Sequence, residues 1–304
     1  MSVTLESPAL ARAGDSGRSP LRLVRAEITK IRTTNTWWLF VIGIVLVTAL
    51  AFLVNALGHH YNELQPPSGS VPADRQDEVN AAIAEAHTPA GLAKIAADMM
   101  TSGQFFGLLF AMLIGILVVT NEFFHQTATT TFMTNPHRTA VIMAKAVAGT
   151  LFGALFWLVS TVLDLAATPI YLSSQHVSVS LTQWTVVRSV LLNLLAFVVW
   201  AIFGLGIGTL LRSQIGSVIT GMALYLVGFA AVLIVFNLIY AAYPHAWVHT
   251  AQVIAPAVAS SVMITPGRLY PDAPPQWVGA AVLTGYAVVT GGIGIWLTRR
   301  RDIS

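Results

Sequence analysis

Residues 99–120 read MMTSGQFFGLLFAMLIGILVVT, a run without one charged side chain. The hydrocarbon core of a bilayer is about 30 Å thick, and roughly 20 apolar helical residues cross it. The run meets that length. It is one of six such stretches between Trp37 and Leu297, at 37–57, 99–120, 146–168, 189–211, 216–243 and 278–297. Lipid offers no partner to a free backbone amide, so a spanning segment closes its hydrogen bonds within a helix or a closed barrel. The reading is an all-α integral membrane protein with six transmembrane helices and no soluble domain between them.

Composition agrees. Charged residues make up 10% of the 304, against about 25% in a soluble domain. One membrane domain over 37–301 follows a short polar leader. The net charge of +3 does not point to nucleic acid, because the lysines and arginines flank apolar spans, where they anchor helix ends. Cysteine is absent, which excludes disulfides, thiolate chemistry and cysteine-based metal sites. Residues 1–20, rich in Ser, Gly, Ala, Pro and Arg, are expected to be disordered. The first apolar run outlasts the roughly 7–15 residues of a cleavable signal, so it reads as a retained signal anchor.

Orientation follows from the basic residues. One side holds Arg12, Arg18, Arg22, Arg25, Lys30, Arg32, Arg138, Lys145, Arg212 and Arg299–Arg301, twelve in all; the other holds Arg75, Lys94, Arg188 and Arg268. The positive-inside rule places both termini and the 121–145 loop in the cytoplasm. The 58–98 loop, with six acidic residues, then faces outward.

Before the first span, Leu21, Val24, Ile28 and Ile31 recur at helical spacing, while Arg22, Arg25, Lys30 and Arg32 take other positions. This predicts an amphipathic helix over 21–36 lying in the headgroup layer, apolar face down. In the 58–98 loop a helical run over 77–97, broken at Pro89–Gly91, is too polar to span and predicts a small external cap. Between spans five and six, Val253–Met263 is apolar but too short to cross, and Pro256, Pro266 and Gly267 punctuate the region. It predicts a re-entrant or interfacial helical pair on the outer side.

The chain has no G-x-x-x-x-G-K-[ST] phosphate cradle, no H-E-x-x-H and no G-x-S-x-G, which argues against a self-contained pump or a common hydrolase. His59, His60, His245 and His249 fall on the outer side, but no third ligand accompanies them, so no metal is expected. Asp164 is the one carboxylate inside a span and a functional candidate on that ground. It lies 19 residues beyond Lys145, taken as the cytoplasmic end of span three, hence about 28 Å up the helix. That depth is near the outer headgroups, where a carboxylate can be hydrated, and Pro169 is expected to end the helix soon after. A structural or vestibule-lining role follows. Gly149-x-x-x-Gly153 and Gly204-x-x-x-Gly208 predict close helix packing.

The 121–145 loop opens with Asn121-Glu122-Phe123-Phe124-His125-Gln126-Thr127, continues through Asn135-Pro136-His137-Arg138 and ends with Lys145 entering span three. Its length on a sparse cytoplasmic face favours docking. A basic amphipathic helix with Ala26-Glu27-x-x-Lys30, a first span, an acidic outer loop, Glu-Phe-Phe-x-x-Thr after span two and Asn-Pro-x-Arg before span three together resemble the permease subunit of type-2 ATP-binding-cassette exporters, over residues 21–301. The resemblance implies that the loop after span two is a coupling helix seated in the ATPase, matched by position at Glu122, Phe123, Phe124, Thr127, Pro136, Arg138 and Lys145. That family usually has glycine before the threonine, where this chain has Gln126. It also implies a non-catalytic chain paired with a second permease subunit as a homodimer, and two ATPase subunits that carry the ATP and magnesium, in a bacterial cell membrane. The sparse charge within the spans points to a hydrophobic or amphipathic cargo such as a drug, peptide antibiotic or lipid. The alternatives are a membrane-embedded enzyme or a proton-coupled secondary transporter using Asp164.

Overall fold

The computed structural model describes residues 20–64, 76–134, 138–269 and 272–300. The expected leader lies outside the described residues except for Pro20, and Pro136 lies outside them too. Every described element is helical. Among the described residues, six helices are long and apolar enough to cross a membrane: Thr36–Leu64, Pro89–Phe124, Arg138–Ser174, Trp184–Leu211, Gln214–Ala242 and Gln276–Thr298. They correspond to the six apolar runs, and each begins before its run, because a helix keeps its hydrogen bonds into polar flanks. This is the architecture of a multi-pass membrane protein.

In chain order the elements are α1 (Pro20–Arg32), α2 (Thr36–His59), α3 (Gln76–Ala86), α4 (Pro89–Met99), α5 (Gln104–Phe124), α6 (Ala128–Thr134), α7 (Arg138–Ser174), α8 (Trp184–Leu211), α9 (Gln214–Met222), α10 (Gly228–Ala242), α11 (Ala246–Ala251), α12 (Pro256–Ile264) and α13 (Gln276–Arg300). A π-helical turn, Ala223–Val227, joins α9 to α10 inside span five.

The break read at Pro89–Gly91 is where α3 gives way to α4. Thr88 Oγ1 accepts from the Gly91 N–H at 3.1 Å and Pro89 takes the first helical turn, where its missing N–H is harmless. The expected cap has a buried inner face: Ile95, Ala96 and Met99 pack with Leu172 and Val186. The apolar segment before Pro266 forms a bent pair, α11 with a following 3₁₀ turn and then α12, meeting at 105°. Pro256 opens α12.

Pro169 does not end span three. It lies inside α7, which runs on to Ser174. Proline removes one backbone hydrogen bond, and a helix held in a bundle continues past that loss. The stop comes at His176, with φ 58°. There the N–H groups of His176 and Val177 bond the carbonyls of Ser173 and Leu172, both at 3.1 Å, the pairing that closes a helix on a left-handed residue.

The centre of the bundle is α5. In the apolar window of its span 83% of residues are buried, against 17% in span one and 11% in span five. Its closest neighbour is α8. A Cβ on Gly204 would collide with the Met112 carbonyl and one on Gly115 with the Ala201 carbonyl, and a Cβ on Gly208 would stand 2.9 Å from the Ile116 carbonyl. The close approach expected from Gly204 and Gly208 is therefore between spans two and four. Gly153 meets α8 less tightly, its Cβ position 3.1 Å from the Phe197 carbonyl, and Gly149 is loose, 3.9 Å from the Gly115 Cα.

Candidate functional site

At the end of the bundle where α5 runs out and α7 begins, four charged side chains converge. Glu27 and Lys30 stand three residues apart on one face of α1, a spacing that makes neighbours of them. Glu122 comes from the last turn of α5 and Lys145 from the third turn of α7. The Lys145 ammonium lies 2.8 Å from Glu27 Oε2 and 2.9 Å from Glu122 Oε1. Lys30 Nζ lies 2.8 Å from Glu27 Oε1 and 2.6 Å from Glu122 Oε1. Two lysines and two glutamates cancel in charge.

Burial makes the pairing obligatory. Lys145 is 1% exposed, Glu27 5% and Glu122 6%. A charge so deep is tolerated only when paired and hydrogen-bonded. An ammonium has three donors, and Lys145 uses them on Glu27, Glu122 and the Val118 carbonyl at 3.1 Å. Lys30 stays about half exposed at the edge. Its burial works to lower its pKa, but the hydrogen bonds and charges of Glu122 and Glu27 outweigh this and hold it above the ordinary lysine value. Thr131 Oγ1 on α6 donates to Glu122 Oε1 at 3.3 Å. The knot therefore ties α1, α5, α6 and α7 together.

The reading of Lys145 as the cap of span three at the headgroups is corrected here. The helix begins at Arg138, so Lys145 sits two turns inside it, under α1. The apolar stripe on α1 is corrected as well. Ile28 and Ile31 pack into the main core of the bundle, and Val24 is half-buried, so the stripe faces protein. Leu21 is 76% exposed and Arg25 is exposed. Protein wins because Glu27 lies on the same stripe and needs a buried cation.

The connection that follows α5 is shorter than 121–145, since α5 holds to Phe124. Its turn is closed by Gln126 and Thr127, whose N–H groups bond the carbonyls of Phe123 at 3.3 Å and Glu122 at 2.9 Å. Gln126 has φ 55°, the left-handed conformation that glycine adopts freely. Glu122 thus holds the turn through its backbone and α1 through its side chain. Phe124 is 60% exposed and Met133 79%. Phe123 is half-buried beneath Arg212, whose guanidinium carbon is 5.7 Å from the ring centroid. Arg138 turns back to the bundle and donates to the Thr298 carbonyl at 3.3 Å. Of the positions marked for docking, Phe124 and Thr127 are exposed, Glu122 is in the knot, and Phe123 and Arg138 are engaged by α8–α9 and α13.

Asp164 lies toward the opposite end. It is 2% exposed rather than hydrated. The Gly103 N–H, in the turn entering α5, bonds its carboxylate, and Oδ1 has no hydrogen-bond partner among the described residues. At the same end, His59 Nδ1 is 3.1 Å from Glu63 Oε2 and His60 Nδ1 is 2.8 Å from Gln175 Oε1. No three His, Asp or Glu side chains gather as a metal site among the described residues. A polar cavity of about 490 Å³ opens at this end, lined by residues that include His59, Glu63, Lys94 and Asp98.

No protein-family model matches the chain, and no curated protein matches it.

Proposed function

We propose that this chain is the membrane-spanning, non-catalytic permease subunit of an ATP-driven exporter in a bacterial cell membrane. It works as a homodimer with two copies of a separate ATPase that carry the ATP and magnesium. The observation behind the proposal is the buried knot of Glu27, Lys30, Glu122 and Lys145 beside the exposed Phe124 and Met133. A device driven from outside needs a surface to be pushed and a stiff joint behind it, and these residues supply the two together. An ATPase seated on 124–133 displaces the ends of spans two and three as one body, and α1, at the cytoplasmic membrane surface, follows through Glu27. Spans two and four move jointly, because their backbones touch at Gly115 and Gly204. Both termini face the cytoplasm in this reading, and the α11–α12 pair dips in from outside. The cargo is hydrophobic or amphipathic, in keeping with spans that carry almost no charge.

The test is co-expression with the Walker-motif ATPase expected in the adjacent reading frame. Phe124→Ala with Met133→Ala should weaken association and ATP turnover while leaving the fold intact. Association and turnover equal to wild type in that variant would refute this docking surface.

A second reading, a proton-coupled transporter, draws on the buried carboxylate of Asp164 and its unpartnered oxygen, since intramembrane carboxylates are often proton carriers. Transport driven by a pH gradient without any ATPase, and lost in Asp164→Asn, would favour it over the first.

A further inference from the structure

Between spans four, five and six and the bent α11–α12 pair lies a cavity of about 370 Å³. Rings form much of its wall: Trp200 and Phe203 from α8, Tyr225 and Phe229 from span five, and Tyr286 from α13. Three of these rings carry a polar atom, and each is already engaged within the protein. The Trp200 indole N–H donates to Ser260 Oγ at 2.8 Å, the Tyr225 hydroxyl to the Phe105 carbonyl at 2.5 Å and the Tyr286 hydroxyl to the Ile254 carbonyl at 3.0 Å. The surface left over is almost entirely carbon.

Water is a poor occupant of such a space, because a buried water needs two to four polar partners. An apolar void of about 150 Å³ already stays dry and takes up benzene, and this one is more than twice as large. The way in is also apolar. Leu224 and Ile254 line the cavity and are 57% and 62% exposed, which marks its mouth. Leu224 belongs to the π-helical turn, and π turns recur at functional sites. This one sends Tyr225 into the core, 2% exposed, while its neighbour Leu224 stays outside. Span five is the least buried of the six, so the mouth opens on a face that suits acyl chains.

We propose that this cavity binds one hydrocarbon chain of a membrane lipid, admitted from the bilayer between span five and the α11–α12 bend. A chain seated there braces span five against the bent pair through contact with the Tyr225, Phe229 and Tyr286 rings. The proposal requires the helices to lie in a bilayer, and it holds whether or not an ATPase drives the protein.

The test uses the full chain in nanodiscs of phosphatidylcholine containing a small fraction of the same lipid with a diazirine on its acyl chain. Photolysis and peptide mapping should place label on Tyr225, Phe229 or Tyr286 several-fold above that on Leu46 and Leu50, exposed residues of span one. A side chain grown at Gly228, which lines the cavity, meets no atom within 4 Å at its Cβ. Gly228→Leu should therefore fill the space without a clash at its base. Leu224→Trp, at an exposed position, should block the mouth. Both should abolish the cavity label and leave that on span one unchanged. Cavity label no higher than on span one, or label that persists in both variants, would overturn the proposal. So would disulfide formation between two copies of a Leu224→Cys chain, which would show the mouth covered by protein.

Discussion

The Lys145 ammonium touches Glu27 Oε2 at 2.8 Å across 118 residues of sequence, inside a site where the lysine is 1% exposed. Removing one partner of a buried ion pair leaves the other charge stranded, at a cost of about 3–5 kcal/mol. Lys145→Met should destabilise the protein by that order in denaturant titration, and Glu27→Gln by less, since Glu122 still meets both lysines. The double variant should cost clearly less than the sum of the two. Strict additivity would mean that the pair does not act as a unit.

The left-handed turn at Gln126 gives a separate prediction. A side-chain-bearing residue in that conformation carries about 1–2 kcal/mol of strain, and a β-branched one more. Gln126→Gly should be neutral or stabilising, and Gln126→Val should destabilise. Melting temperatures of the two variants against wild type check this, and equal values for both would be contrary.

Glycine positions that look alike in sequence should behave differently. Gly204→Leu drives a side chain into the Met112 carbonyl, and overpacking of this kind costs about 1–3 kcal/mol or more. Gly285, on α13, has open space around its Cβ position. Gly285→Leu should leave stability unchanged or slightly raised, because glycine is a poor helix former. The readout is the yield of folded protein after mild heating.

The knot also fixes a pH dependence. Lys30 has its pKa raised in the folded chain, so its contribution to stability is fully present below the unfolded lysine value near 10.4 and is lost as pH rises through the higher folded value. Amide exchange in α1, corrected for the intrinsic rate, should show constant protection from pH 7 to 9 and a decline only above about pH 10.5. A decline centred near neutrality would mean that another group controls α1.

Six spans were legible because apolar length is a one-dimensional signal, and the bent pair was legible because Pro256 and a short apolar run leave few alternatives. The glycines of span four were legible as contacts, but their partner in span two was not, because packing partners are set by three-dimensional register. Pro169 misled because the backbone bond it removes is one of many in a long helix. Lys145 was misplaced because hydropathy treats a lysine near a span end as an anchor, whether it meets water or a carboxylate. One signal for the knot was present: Glu27 falls on the same helical stripe as Val24, Ile28 and Ile31, and a carboxylate on an apolar face calls for a buried cation.

The central claim is that a separate ATPase drives this chain through the 124–133 surface and the knot behind it. Its most direct measurement is ATP-dependent export of a lipophilic dye by proteoliposomes holding the chain and the adjacent-frame ATPase, wild type against Lys145→Met at equal incorporation. The account expects the two proteins to co-purify, the wild type to export, and Lys145→Met to keep ATP hydrolysis while losing most export. Failure of the proteins to associate, or dye export at the wild-type rate without the ATPase, would contradict it.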